Sequence, residues 1–388
     1  MKTLAAPLAL VALSVATGCG GDREQTPGPQ SPQGTETTTG ATATMMETGT
    51  GTATGTETQA PAPAPKASLS DLQRDAIRTM ATAFNAHDSR RIASLYAPDV
   101  KVAGPGPAGW VEQTGTASVE EGYNRLFTAF PDARWASPRV FVHNDVVIQE
   151  WVLSGTHRGD FGSLQATNKA AGVNGASVYW FDDNGRIKRQ HTYYDNATIG
   201  HQLGTAKVKA RAVPVMPVGD PQFIVSTGSA EDNRFIDEAA AFYKTIDNLD
   251  EKAYLLTFSK DPIRTSYMWP EDRKGERAAR EDFRLLIRAF PDVKMTVSSA
   301  WGFGDRVIAE TVMTGTHSGN YQNLKPTKKP ATLHTLDVLR FDQDGKIAEL
   351  TTYGAITELS SQDMGTTKQG QGTGTGTQQQ PGQQQPRP

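Results

Sequence analysis

The sequence predicts an α+β fold written twice: two tandem domains, each with N-terminal helices packed on a long antiparallel sheet. Three observations carry that reading. Short motifs recur along the chain at one constant offset, apolar residues in each copy first follow a helical period, and they then follow a period of two.

The repeat is explicit. Phe130-Pro131-Asp132 returns as Phe290-Pro291-Asp292, and Asp145-x-Val147-Ile148-x-Glu150 returns as Asp305-x-Val307-Ile308-x-Glu310. Gly155-Thr156-His157-x-Gly159 returns as Gly315-Thr316-His317-x-Gly319, and Leu164, Thr167, Phe181 and Gly185 have counterparts in Leu324, Thr327, Phe341 and Gly345. A period this long is the size of a domain and too large for a solenoid.

Within the first copy, Ile77, Met80, Ala81 and Phe84 and then Ile92 and Leu95 keep helical spacing, with a break near His87-Asp88, so two helices are expected over 69–96. Val100-Lys101-Val102 reads as a short strand. Val119, Tyr123, Leu126, Phe127 and Phe130 mark a third helix that Pro131 stops. Beyond it the spacing predicts one long strand over 139–157, another over 176–181, and a hairpin turn at Asp183-Asn184-Gly185 leading into a last strand over 186–195. The second copy predicts helices over 232–258 and 277–290 and strands near 293–317, 333–341 and 346–355. Residues 206–230 read as a linker between domains at 67–205 and 231–365.

The ends read differently. Lys2 followed by the apolar run Leu4 to Val15 has the form of an export signal and is too short to span a bilayer. Ala16-Thr17-Gly18-Cys19 resembles the bacterial lipobox, in which the cysteine is acylated after cleavage, giving a signal peptide over 1–18 and a membrane anchor on Cys19 in the cell envelope. Residues 19–66 and 366–388, rich in Gly, Thr, Pro and Gln, are too polar to build a core and read as a disordered tether and tail. Cys19 is the only cysteine, which rules out a disulfide framework and Cys-rich metal sites. With 39 Lys+Arg against 42 Asp+Glu, the chain lacks the basic footprint of a nucleic-acid binder.

The run from Phe-Pro-Asp through Gly-Thr-His-x-Gly, Leu-x-x-Thr and Asn-Gly-Arg-Ile to Tyr193-Tyr194-Asp195 and Gln202-Leu203-Gly204 resembles the SnoaL-like polyketide and ester cyclase family. That family belongs to the nuclear transport factor 2-like superfamily of cone-shaped α+β domains. The resemblance spans both copies. It implies a cofactor-free acid/base site, no metal, a small hydrophobic ligand as partner, and pairing of domains 1 and 2 as an intramolecular pseudo-dimer.

Alternate residues of a strand share a face, so Ile187, Arg189, His191, Tyr193 and Asp195 are expected on one wall. The resemblance gives Asp195 the position of the cyclase carboxylate, with His191, Tyr193 and His157 as donors to an enolate oxygen. A carboxylate in an apolar cavity is pushed toward the pH at which it can act as a base. The competing reading makes Asp195 a cap of the following turn and gives His157 and His317 structural places after Gly-Thr. Trp151, Trp180, Tyr353 and His317 are the expected ligand contacts, with plain core as the alternative for the aromatics. In the second copy Ala355 stands for Asp195 and Thr351 for His191, so chemistry is expected in domain 1 only. Two functions follow: a cyclase- or isomerase-type catalyst acting on a small apolar carbonyl compound, or a non-catalytic binding or scaffold lipoprotein.

Overall fold

The computed structural model describes residues 68–106 and 109–361; the expected signal peptide, Cys19, tether and C-terminal tail lie outside them. The first unit runs α1 (Leu69–Asn85), α2 (Ser89–Ala93), β1 (Tyr96–Gly106), β2 (Gly109–Thr114), α3 (Thr116–Ala129), β3 (Arg134–His143), β4 (Val146–Thr156), β5 (Ala170–Phe181), β6 (Ile187–Tyr194) and α4 (Asn196–Leu203). The joining segment carries β7 (Gln222–Ser226). The second unit repeats the order as α5 (Ile236–Asp247), α6 (Glu251–Leu256), β8 (Phe258–Ser266), β9 (Arg273–Lys274), α7 (Gly275–Ala289), β10 (Lys294–Phe303), β11 (Arg306–Thr316), β12 (Pro330–Phe341), β13 (Ile347–Gly354) and α8 (Thr357–Ser361).

Local chemistry sets the element ends. Ser68 caps α1 by accepting from the Asp71 amide, and Asp88 and Asp250 cap α2 and α6 in the same way. The break between the first two helices of each unit is a residue in the left-handed region, His87 at φ 57° and Leu249 at φ 56°. Where one strand is expected over 139–157 there are two, because Asn144 at φ 51° turns the chain between β3 and β4.

The first sheet has the order β2-β1-β6-β5-β4-β3-β7 and the second β10-β11-β12-β13-β8-β9. Both are mixed: most pairs are antiparallel, but β1–β6, β3–β7 and β8–β13 are parallel. The linker therefore supplies a strand, and β7 covers the edge of β3 that would otherwise be open. Helices α1 to α3 and α5 to α7 close one face of each sheet, over cores that include Ile77, Met80, Phe84 and Tyr179 in the first unit and Phe242, Phe283 and Leu339 in the second.

The other faces of the two sheets pack on each other. Phe141, Ile148, Val178 and Trp180 meet Trp301, Phe303, Ile308 and Val338 in a shared apolar layer. Two polar contacts cross it reciprocally. The Tyr193 hydroxyl donates to Glu310 at 2.8 Å, and the Tyr353 hydroxyl donates to Glu150 at 2.7 Å. Tyr193 and Tyr353 are counterparts, as are Glu150 and Glu310, so the two contacts repeat about a pseudo-twofold axis as in an isologous dimer. The flanking partners differ: Arg139 pairs with Glu150, while His191 stands 2.8 Å from Glu310.

A hydrogen bond to a buried charge contributes about 1.5–3 kcal/mol. Tyr193→Phe and Tyr353→Phe should each lower the free energy of unfolding by about that amount in urea titrations. Unchanged midpoints would remove these contacts from the account of how the units are held together.

Candidate functional site

The last strand of each unit carries a β-bulge. Phe181 pairs with Ile187 but Trp180 pairs with Arg189, leaving Lys188 extra; Phe341 pairs with Ile347 but Arg340 pairs with Glu349, leaving Ala348 extra. One extra residue inverts the faces beyond it. Ile187 points into the core as expected, yet Arg189, His191 and Tyr193 point to the other unit, and Gln190, Thr192 and Tyr194 take the interior. The shared wall expected from simple alternation is thus corrected.

The structure does not bring the expected site residues together. Asp195 is 2% exposed and is the N-cap of α4, accepting from the Thr198 amide at 3.0 Å and the Thr198 hydroxyl at 2.7 Å. Its other oxygen accepts the amide of Ile356, from the second unit, at 3.2 Å. Burial pushes its carboxyl up to about 6, while these hydrogen bonds pull the other way. His157 is buried on Phe130, and its Nδ1 accepts the Thr167 amide at 3.2 Å; His317 stacks on Phe290 at the equivalent place. Trp180 lies between the sheets with Arg189 3.8 Å from its ring centroid, and Tyr353 is held by Glu150. Among the expected residues only Trp151 lines an interior space.

That space is small, about 30 Å³ between Phe84, Tyr123, Trp135, Trp151 and Tyr194. Trp151 fills the first unit because Gly175 makes room for it: a Cβ on Gly175 would lie 2.3 Å from the indole. Most polar groups around it satisfy one another, the buried indole N–H of Trp135 excepted. The Trp151 indole donates to Ser177 at 3.0 Å, Tyr96 donates to Gln190 at 2.6 Å, and Tyr179 donates to Gln149 at 3.2 Å.

The second unit is hollow. Thr311 and Thr335 stand where the first unit has Trp151 and Gly175, and their hydroxyls meet at 2.6 Å. The space left is about 130 Å³, and Trp269 and Arg273 of its lining also border a surface pocket formed with Glu271, Lys274 and Arg277. Phe242, Phe283, Met313 and Leu333 supply apolar wall, and Arg264, Asp282 and Asp337 supply charge. Their counterparts in the first unit are Val102, Gly122 and Ser177, so the charged trio belongs to the second unit alone.

Asp337 is 5% exposed. Its Oδ2 accepts from the Tyr243 hydroxyl at 2.9 Å, and its Oδ1 has no hydrogen-bond partner among the described residues. Burial pushes this carboxyl up to about 6, against the opposing pull of the Thr352 and Tyr243 hydroxyls and Arg264. Arg264 pairs with Asp282, which Arg273 also approaches at 3.3 Å. Arg264 Nε and Ser266 Oγ likewise lack partners. Buried polar atoms are almost always hydrogen-bonded, so three unsatisfied ones on the lining of one cavity mark a place built for a polar guest. Among the described residues no group of three or more His, Cys, Asp or Glu could hold a metal ion.

Asp337 carried a signal in the sequence. Counting back by twos from the inward Phe341 gives Leu339, Asp337, Thr335 and Leu333, a carboxylate among apolar residues on a core-facing register. Asp337 lies on β12, outside the last strand that carries the counterparts of His191, Tyr193 and Asp195.

A family model described as SnoaL-like polyketide cyclase matches residues 74–203 and 237–355, more than half of the chain. The chain belongs to the SnoaL-like polyketide cyclase family. Solved structures similar to it include IdmH, a candidate polyketide cyclase from Streptomyces antibioticus, at 26% identity over 34% of this chain and 98% of that one, TM-score 0.31. TsrD from Streptomyces laurentii matches at 18% identity over 35% and 96%, TM-score 0.31. AclR, a candidate hydroxylase from Streptomyces galilaeus, matches at 23% over 32% and 76%, TM-score 0.29. Among the curated proteins compared, none matches. Since one fold hosts many chemistries, the activity of a SnoaL-like unit has to be argued from its own cavity.

Two measurements test this description. Gly175→Thr drives a side chain into the Trp151 ring and should destabilise the first SnoaL-like unit, whereas adding Trp151→Thr should recover part of the loss, with a coupling of about 1–3 kcal/mol in a double-mutant cycle. Additive effects would contradict the packing. For Asp195, a folded-state pKa near 6 against 3.8 means the native state holds its proton longer than the unfolded chain does. This group therefore favours folding below pH 4 and loses that contribution as pH rises to 6. Relative to the parent chain, Asp195→Asn should gain stability over that interval, on the order of 3 kcal/mol, and no further above it.

Proposed function

We propose that this protein binds a small carbonyl compound in the hollow of its second SnoaL-like unit and shifts a proton on it, with Asp337 as the acid/base and the first unit as a fused structural partner. The observation that carries the reading is the contrast, among the described residues, between interiors: one filled to about 30 Å³ with a single unpaired indole N–H on its lining, and a cavity of about 130 Å³ whose lining leaves a carboxylate oxygen, a guanidinium N–H and a hydroxyl unpaired. A cavity of ~150 Å³ holds one benzene molecule. The ligand enclosed here is therefore of single-ring or short-chain size.

As carboxylate, Asp337 takes the proton from a carbon lying between the carbonyl and a C=C bond; the C–H electron pair forms a new C=C bond to the carbonyl carbon, and the π pair of the C=O moves onto its oxygen. Arg264, whose Nε is free to donate, stabilises the oxygen as charge develops. Asp337 then returns the proton to the far carbon of the original C=C bond, the oxygen's pair restores the C=O, and the compound leaves with its double bond shifted into conjugation. No oxidant or reductant enters the balance. The apolar walls serve the same end, because desolvation brings the carboxyl toward the working range of a base.

The residue pattern around Cys19 supports a second element of the proposal, that the protein is exported and lipid-anchored in the cell envelope. A compound captured outside the cell favours binding without turnover as the competing reading. Mass spectrometry of the purified protein, with and without Thr335→Trp to fill the hollow, identifies any retained compound; retention by the filled variant would place the ligand elsewhere. With that compound in hand, Asp337→Asn should retain binding and lose roughly 10²–10⁴-fold in turnover. In the parent protein kcat/KM should rise with pH up to about 6 and level off above it, since the base must be ionised. An unchanged rate in Asp337→Asn removes it from the chemistry, and no turnover by the parent leaves the binding reading.

A further inference from the structure

We infer that Arg211, in the segment joining the two units, is a positioning residue for the mouth of the second unit's cavity, and that the first unit holds that mouth in shape. The significance for ligand rests on the function proposed above; the contacts stand independently of it.

The corresponding hairpins of the two units differ. In the first unit β1 and β2 stay paired to the hairpin end, Gly106 opposite Gly109. In the second unit β8 and β9 pair only at Ile263–Lys274 and Arg264–Arg273, and the chain between them opens into a loop. That loop delivers Ser266, Met268 and Trp269 to the cavity lining. Its own backbone support is slight: the Trp269 amide donates to Ser266 O at 3.0 Å, and the Tyr267 amide donates to Thr352 O at 3.0 Å.

Arg211 supplies what the ladder does not. Its Nη2 donates to Ser266 O at 3.2 Å and to Asp272 Oδ1 at 2.8 Å, tying the start of the loop to its end. The guanidinium also lies 5.1 Å from the centroid of the Tyr267 ring between them. Arg211 is itself anchored on the first unit: its carbonyl accepts from Gln202 Nε2 at 3.0 Å, and Gln202 Oε1 accepts the Gly172 amide of β5 at 2.8 Å. From the opposite side Tyr267 stacks on Tyr353 at 4.9 Å, and Tyr353 is held by Glu150 of β4. Both supports thus trace back to the first unit, one through the linker and one through the interface.

Hydrogen exchange of the full-length chain, read by mass spectrometry without ligand, tests this. In Arg211→Ala, amides in peptides covering 266–274 should exchange roughly three- to tenfold faster, the factor that corresponds to the net worth of one hydrogen bond. Peptides from β4, β5, β11 and β12 should keep the parent rates. Asp272→Asn, at a half-exposed side chain, should produce a smaller rise in the same peptides and serves if Arg211→Ala folds poorly. Unchanged exchange at 266–274 in both variants, or an equal rise throughout both units, overturns the assignment. Because no ligand enters the measurement, a failed latch and a failed ligand reading give separate results.

Discussion

One extra residue in the last strand of each unit governs most of what this protein is. The bulges at Lys188 and Ala348 reverse which side chains face the helices and which face the neighbouring sheet. Without that reversal Tyr193 and Tyr353 would lie in the interiors, and Glu310 and Glu150 would be left buried in an apolar layer without their hydroxyl donors. A buried carboxylate short of partners costs several kcal/mol, so the sheets could not pack as they do. The bulge is thus a condition of the interface as well as a local kink.

The same reversal delivers Gln190 and Thr192 to one interior and Leu350 and Thr352 to the other, and there the units part company. In the first, an indole, a glycine and a run of amides and hydroxyls close on one another. In the second, aliphatic side chains replace the amides, two threonines replace the Trp–Gly pair, and charge appears on three different elements: Arg264 on β8, Asp282 on α7 and Asp337 on β12. Packing density and electrostatics change together, which is what separates a core from a binding cavity.

Much of this organisation was legible in the sequence, and what was not has physical causes. The repeat, the helix-then-strand order and the family were readable because motif spacing and hydrophobic period are local properties. The hairpin at Asn144 was hidden because a two-residue turn barely interrupts the alternation on either side. The direction of His191, Tyr193 and Asp195 depended on a bulge, which leaves no compositional mark at Lys188. Asp195 looked like a candidate base by alignment, yet its short side chain at the start of α4 satisfies amides in preference to facing a cavity. The hollow itself arises from residues far apart in the chain, Thr311 against Thr335, and only the folded arrangement brings their small volumes together.

The pseudo-twofold pairing has one further consequence. In a dimer assembled from identical chains every substitution appears twice, so a change that plugs one hollow plugs the other, and a tyrosine gained on one side of the contact is gained on both. Joining the halves end to end removes that restriction. Each copy can then drift separately under the single requirement that the shared contact surface survive. One copy is free to become scaffolding, and the other can collect charges that would be ruinous if duplicated in a half whose only task is to stay packed.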